Sequence, residues 1–256
     1  MPPAIYKNAH FLRSQPSRRP FEREEDQIRI ADNSPTERDQ SLAPMEELLV
    51  RRGSICKRAI DIVGSTAGLT VAFPVMLVVA VAVKLTSTGP ALFRQKRLGR
   101  LGKEFTCLKF RSMYADGNLD IHKKYMEQFI KGSDLEKGYG KIKDDPRITP
   151  LGKFLRKTSL DELPQLINVL KGEMSLVGPR PPLPYECAHY GAWHRRRVLD
   201  MKPGITGLWQ VTSRSRSTFD EMVRLDLKYM REWSLWLDLK ILIQTPRAVL
   251  SGKGAS

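Results

Sequence analysis

The chain has 256 residues, 41% of them hydrophobic and 8% aromatic, enough to bury a core and too many for a wholly disordered polymer. A mean hydropathy of −0.36 with one long apolar run excludes a polytopic transporter. The formal charge is +15 and uneven: residues 1–50 hold seven basic and nine acidic side chains, whereas residues 51–256 hold 36 and 19, a net +17 that draws nucleic acid, anionic headgroups or phosphorylated small molecules.

Residues 1–48 carry six prolines among mixed charges without apolar periodicity, and are expected to be a disordered polar tail. No apolar stretch follows Met1, so they are not a secretory signal. Cys56, Cys107 and Cys187 lie far apart with no C-x-x-C pair, which points to free thiols in a reducing compartment, with acylation of Cys56 beside the apolar run as the alternative.

Residues 49–89 form the juxtamembrane and membrane segment. From Ile62 to Val83 no charge interrupts the chain, a length of roughly 33 Å as one helix, so membrane insertion is the leading reading and a buried core helix the bland one. Pro74 sits in the middle, and basic residues flank both ends: Arg51, Arg52, Lys57 and Arg58 before, Lys84, Arg94, Lys96, Arg97, Arg100 and Lys103 after. Since positive flanks prefer the cytoplasm, a re-entrant helix-break-helix is favoured over a spanning helix.

Residues 90–256 read as a cytosolic α+β domain, mostly helical with a short β-hairpin. Ala91–Arg94 and Phe105–Phe110 carry strand patterns around the turn at 99–103. Ile121–Ile130 and Leu160–Leu170 suit helices, the second stopping at Lys171-Gly172. Phe219–Glu232 and Leu235–Thr245 suit amphipathic helices, where Met222, Leu225, Tyr229, Trp233 and Trp236 fit a membrane surface or ordinary core packing equally well.

Chemistry is sought where carboxylates meet phosphate-binding cations. Asp161 and Glu162, adjacent at an expected helix start, point about 100° apart, so one could attack phosphorus while the other holds Mg²⁺. The competing structural reading is a capping box, Ser159-x-x-Glu162. Arg180 stands in Gly178-Pro179-Arg180-Pro181-Pro182, a stiff frame that suits either phosphate binding or a plain linker. Lys109, Arg111, Arg147, Arg156, Lys157 and Arg214 add cations that are individually ordinary surface charges. His122, His189 and His194 show no metal-ligand spacing, and Arg195-Arg196-Arg197 reads as a solvated or lipid-facing run.

Taken together, K-R-A-I-D at 57–61, the apolar run, L-K-F-R-S-M at 108–113, D-P-R-I-T-P-L-G at 145–152, S-L-D-E-L-P-Q-L-I-N-V-L-K-G-E-M-S-L-V-G-P-R-P at 159–181 and K-P-G-I-T-G-L-W-Q-V at 202–211 resemble the bacterial sugar transferase family, over about residues 55–255. These are monotopic polyprenyl-phosphate phosphoglycosyl transferases that initiate exopolysaccharides and other surface glycans. The resemblance implies an enzyme that moves a sugar 1-phosphate from a UDP-sugar to undecaprenyl phosphate and releases UMP, through a covalent phosphosugar on Asp161. It implies Glu162 as the Mg²⁺ ligand, Arg180 on phosphate, and Lys109, Arg156, Arg214 and Asp226 lining the site.

Implied partners are the UDP-sugar, undecaprenyl phosphate and the lipids of the bacterial inner membrane on its cytosolic face, with a homo-oligomer left open. Two positions depart from the family pattern: Phe73 stands where many members have Ser before the proline, and Ser213 where many have Gly. With only a polar tail ahead of the anchor, the chain is expected to be the family's short form. The competing classes are a nucleic-acid binder, for which no reader motif is present, and an inert membrane adaptor, which would need neither Mg²⁺ nor Asp161. The identity of the sugar is not written in any of these motifs.

Overall fold

The structure, a computed structural model, describes residues 37–114, 119–130, 145–213 and 217–250. The chain divides into two units, Met1–Leu48 and Leu49–Ser256. Helix α1 runs Glu37–Thr86, beginning inside the segment expected to be a tail. Its helical assignment continues through Pro74, where the sequence led us to expect a break between two arms. A proline removes a single backbone donor, and the turns on either side keep theirs.

One stripe of α1 is covered and the rest is not. Asp61, Ser65, Val79 and Val83 are buried at the spacing of one helix face, while Val63, Val71, Phe73, Leu77, Val78 and Leu85 are exposed. The polar end of that stripe is fixed by hydrogen bonds. Asp61 Oδ1 accepts from Ser175 Oγ at 2.9 Å and from the Leu176 amide at 2.8 Å. Gly64 leaves the space that Leu176 occupies. Arg58 donates to the Val169 and Leu170 carbonyls at 2.6 Å each, capping the helix that ends there. At the apolar end, Val79 and Val83 pack with Phe110 and Leu155, burials that each contribute about 1.5–3 kcal/mol.

Strands β1 (Leu92–Leu98) and β2 (Glu104–Phe110) pair antiparallel, Leu92 opposite Phe110 and Leu98 opposite Glu104, as the hairpin pattern predicts. Helix α2 (Leu119–Ile130) follows. Helix α3 (Pro150–Thr158) comes next, and the expected helix over 160–170 is instead two pieces, a 3₁₀ turn (Leu160–Glu162) and α4 (Gln165–Lys171). The break has a local cause, since Ser159 adopts the left-handed conformation at φ 56° and Pro164 offers no amide to continue a helix.

Beyond Gly172, β3 (Ser175–Val177) pairs in parallel with β4 (Gly204–Thr206), a small second sheet that the sequence reading did not anticipate. Between them lie α5 (Pro184–Ala188) and α6 (Ala192–Leu199). The chain then forms α7 (Leu208–Thr212), α8 (Phe219–Arg231) and α9 (Leu235–Leu250). Thr218 caps α8, its Oγ1 accepting from the Glu221 amide while Glu221 accepts in return from the Thr218 amide. Phe219, Met222 and Val223 of α8 join Met126, Phe129, Tyr190 and Trp209 in the largest apolar cluster.

One buried side chain ties α4 to the hairpin. Asn168 of α4 donates to the Thr106 carbonyl and to Glu173, and accepts from the Leu108 amide, so α4 is locked against β2.

Candidate active site

The segment that carries the two acidic residues is shaped by its neighbours. Thr149 caps α3, accepting from the Gly152 amide at 2.9 Å, and Pro150 opens its first turn. The left-handed Ser159 then reverses the path into the 3₁₀ turn, placing Asp161 and Glu162 in a tight corner between α3 and α4. The Ser159 side chain makes no capping hydrogen bond, so the capping-box reading of this spacing does not hold. With three residues per 3₁₀ turn, adjacent side chains leave the axis about 120° apart. Asp161 is 8% exposed, whereas the Glu162 side chain is 33% exposed and faces a polar cleft.

Six stretches of chain line that cleft: Arg97 from β1, Cys107 and Lys109 from β2, Glu162 and Gln165, Arg180-Pro181, Gly204-Ile205 and Gln210 of α7. Three of these groups are permanently or normally cationic, which suits a ligand with phosphate groups. Lys109 Nζ donates to Glu162 Oε1 at 2.6 Å. Arg97 is anchored by donating to the Pro181 carbonyl at 2.6 Å and to Gln95 at 2.9 Å.

Arg180 is positioned through its backbone as well as its side chain. Gly178 and Gly204 meet backbone to backbone, leaving no room for a Cβ at either, and this brings the Pro179-Arg180-Pro181 frame over the β4 edge. The Arg180 amide donates to Asp226, and Arg180 Nη1 lies 3.8 Å from the fully buried Glu186.

Electrostatics separate the two acids. Burial raises the Asp161 pKa to about 6, against the opposing pull of Lys109, and the neighbouring Glu162 adds to the rise while Arg156 offsets it. At neutral pH Asp161 is therefore ionised yet more basic than an ordinary aspartate, the state a carboxylate nucleophile requires. Burial also opposes ionisation of Glu162, but the charge and hydrogen bond of Lys109, with Arg180 and Arg97 beyond, hold its carboxyl below the usual range.

The residues singled out from sequence fall into three groups. Glu162, Lys109 and Arg180 converge at the cleft; Asp161 is buried next to Glu162, within reach of the Lys109 and Arg156 charges, and the buried Arg156 Nη1 lacks a hydrogen-bond partner among the described residues. Asp226 lies beneath the cleft rather than on its wall, buried and paired with Arg197 at 3.2 Å. Burial raises its pKa, countered by the Arg197 charge and the Arg180 amide. Arg214 lies outside the described residues. Sequence reasoning had not assigned Arg97, Gln165 or Gln210 to the site. Gln165 and Gln210 stand inside quoted motifs, D-E-L-P-Q and G-L-W-Q-V, but nothing in their type or spacing marks them.

Among the described residues, no cluster of three or more His, Cys, Asp or Glu side chains could cage a metal ion. The donors present fit a hard divalent cation of another kind, one that takes one or two carboxylates and completes its shell with water and phosphate oxygens. Glu162 is the donor that both stays ionised and reaches the cleft.

The sequence model of the family described as bacterial sugar transferase matches residues 52–252. The chain is similar to a galactosyl transferase of Streptococcus agalactiae, 46% identical over 202 residues, covering 78% of this chain and 43% of that protein. It is similar to an undecaprenyl-phosphate galactose phosphotransferase of Salmonella typhimurium, 44% identical, with coverage of 84% and 44%. It also resembles the exopolysaccharide production protein ExoY of Sinorhizobium fredii, 37% identical, covering 79% of this chain and 89% of the relative. The chain thus spans less than half the length of the first two. A match over most of the chain, spanning every residue that lines the cleft, places this protein in the bacterial sugar transferase family.

Proposed function

We propose that the protein transfers a sugar 1-phosphate from a UDP-sugar to undecaprenyl phosphate, releasing UMP and forming undecaprenyl-diphospho-sugar, as the membrane step that begins a surface polysaccharide. The observation that carries this reading is Asp161, a buried carboxylate raised to about 6 beside a cleft walled by Lys109, Arg97 and Arg180. In the first half-reaction an Asp161 oxygen forms a bond to the sugar-bearing phosphorus as the bond to the UMP oxygen breaks. In the second, the acceptor phosphate displaces Asp161 and restores it. Phosphoryl transfer asks mainly for positioning and charge neutralisation, and the convergent cations supply both.

Lys109 and Arg180 would bind the non-bridging oxygens, while Arg156 would keep Asp161 ionised as anionic substrate arrives. Glu162 would hold Mg²⁺, which when bound neutralises diphosphate charge. Water must be kept from the aspartyl phosphate, and the burial of Asp161 favours that.

The membrane arrangement proposed is monotopic, on the cytosolic face of the inner membrane. Both ends of the apolar stretch of α1 dock on one unit: Asp61 on β3, and the Val83 carbonyl on Arg111 at the end of β2. A spanning helix would need those partners on opposite sides of a hydrocarbon core about 30 Å thick. Its exposed apolar side, and that of α9 with Trp236, Leu239 and Ile243, would then face lipid. This placement brings a lipid phosphate and a cytosolic nucleotide to the same cleft.

The test is UMP release by the detergent-solubilised chain with undecaprenyl phosphate, Mg²⁺ and a panel of UDP-sugars, with and without EDTA. UMP from one donor, dependent on acceptor or trapped as a phosphosugar adduct on residue 161, is expected; no UMP from any donor in folded protein overturns the proposal.

A further inference from the structure

The cleft contains two amides that the phosphate chemistry does not use. Gln165, at the start of α4, is 3% exposed and lines the cleft, yet its side chain makes no hydrogen bond among the described residues. Gln210, from α7 on another wall, donates through Nε2 to the Ile205 carbonyl at 3.1 Å while its buried Oε1 has no partner. The Gln165 amide meets the cleft with no protein partner, and the buried Gln210 Oε1 is unsatisfied, a cost that a ligand donor would relieve.

Their chemistry differs from that of the surrounding wall. Arg97, Lys109 and Arg180 are donors only, suited to phosphate oxygens, whereas an amide both donates and accepts. Its natural complement is a neutral surface of hydroxyl groups, each of which also donates and accepts. On the reading of Asp161 as nucleophile, stereochemistry selects which part of the donor that is. In-line displacement puts the departing UMP opposite the attacking oxygen, while the sugar and the two non-bridging oxygens spread sideways around phosphorus. Gln165 lines the cleft together with Glu162, the chain neighbour of Asp161, so it stands on the side where phosphorus is attacked.

We infer that Gln165, with Gln210 across the cleft, binds the hydroxyls of the transferred sugar and thereby sets which UDP-sugar is used. This rests on the transferase reading above and adds to it the residues that distinguish one hexose from its epimer. A site that pairs a ligand hydroxyl discriminates strongly because the wrong ring leaves its amide unpaired.

The experiment compares wild type, Gln165→Met and Gln210→Met on UDP-galactose, UDP-glucose and their N-acetylated counterparts, measuring kcat/KM for UMP release together with inhibition by UMP. Because the Gln165 amide has no protein partner, the Met variant keeps the fold, which a melting curve checks. Expected is a loss of about thirtyfold or more on the preferred donor, a smaller loss on the others so that the preference collapses, and inhibition by UMP within about twofold of wild type. An unchanged ratio between donors in both variants, or a wild type indifferent to the ring, overturns the assignment while leaving the transferase reading intact. Absence of UMP from every donor overturns both.

Discussion

The docking face of α1 and the cleft, both within residues 49–256, treat buried polar groups in opposite ways. Around Lys57 and Asp61 at the docking face, the buried polar groups are answered by protein. Lys57 donates to the Val177 carbonyl at 3.0 Å, to Tyr229 at 3.2 Å and to Asp238 at 2.6 Å, and Asp238 also accepts from Tyr229 and Trp233. At the cleft, by contrast, Gln165 has no side-chain partner among the described residues, Gln210 is half paired, and Asp161 beside the cleft is buried at the expense of its own ionisation. Satisfied polar groups fix where elements sit, whereas unsatisfied ones mark where the fold has given up stability to meet something else.

Four substitutions would break or sharpen that contrast. The largest effect is expected in the cleft: Asp161→Asn should lower UMP release by roughly a thousandfold or more, because a neutral amide cannot form the phosphosugar ester. Wild-type activity should also decline as pH falls through about 6, where Asp161 takes up its proton. A pH-rate profile flat from 5 to 8 would remove Asp161 from the role of nucleophile.

At the docking face the cost should appear in stability. Lys57→Met strands the Asp238 carboxylate, whose side chain is 5% exposed, and should destabilise by about 3 kcal/mol or more in a denaturation measurement. Adding Asp238→Asn should recover part of that loss, since the buried charge is then gone. A double variant no better than the sum of its parts would mean that packing, rather than the ion pair, dominates the joint.

The third effect reverses sign between the regions. Asp161, raised from 3.8 to about 6, holds its proton more tightly folded than unfolded. Its carboxyl favours the fold at low pH, and that contribution is lost as pH rises from about 4 through about 6. Asp161→Asn should therefore stabilise the protein by roughly 2–3 kcal/mol at pH 8 and by almost nothing at pH 3.5, in melting curves taken at both. The smallest shift is expected for Gln165→Met, within about 1 kcal/mol of wild type and tending to the stable side, because no protein hydrogen bond is lost. Marked destabilisation would mean that the amide has a structural role.

How far the site could be read in the sequence follows from the same division. The hairpin, the apolar run, α8 and α9 announced themselves because their periodicity repeats over many residues. The corner at 159–164 did not: a helical pattern runs across it, and only the left-handed Ser159, which no residue type demanded, shows that the acids sit in a 3₁₀ turn. Asp226 had been expected on the wall, and its burial with Arg197 is a product of how α6 and α8 pack, which adjacent residues do not encode. The parallel β3–β4 pair was missed for a similar reason, being three residues a side and joined across a long connection.

By itself the sequence determined the family, the acidic pair Asp161-Glu162, the basic field and the membrane-seeking helix, since motif identity, charge and long-range apolar content are properties of residue types in order. Tertiary structure alone decided that Lys109 holds Glu162, that Asp161 is buried enough to shift its pKa, that both ends of the apolar stretch of α1 rest on one unit, and that Gln165 and Gln210 share a cleft. Burial, pairing and convergence depend on which distant segments meet, and each of these contacts joins residues that the chain order keeps apart.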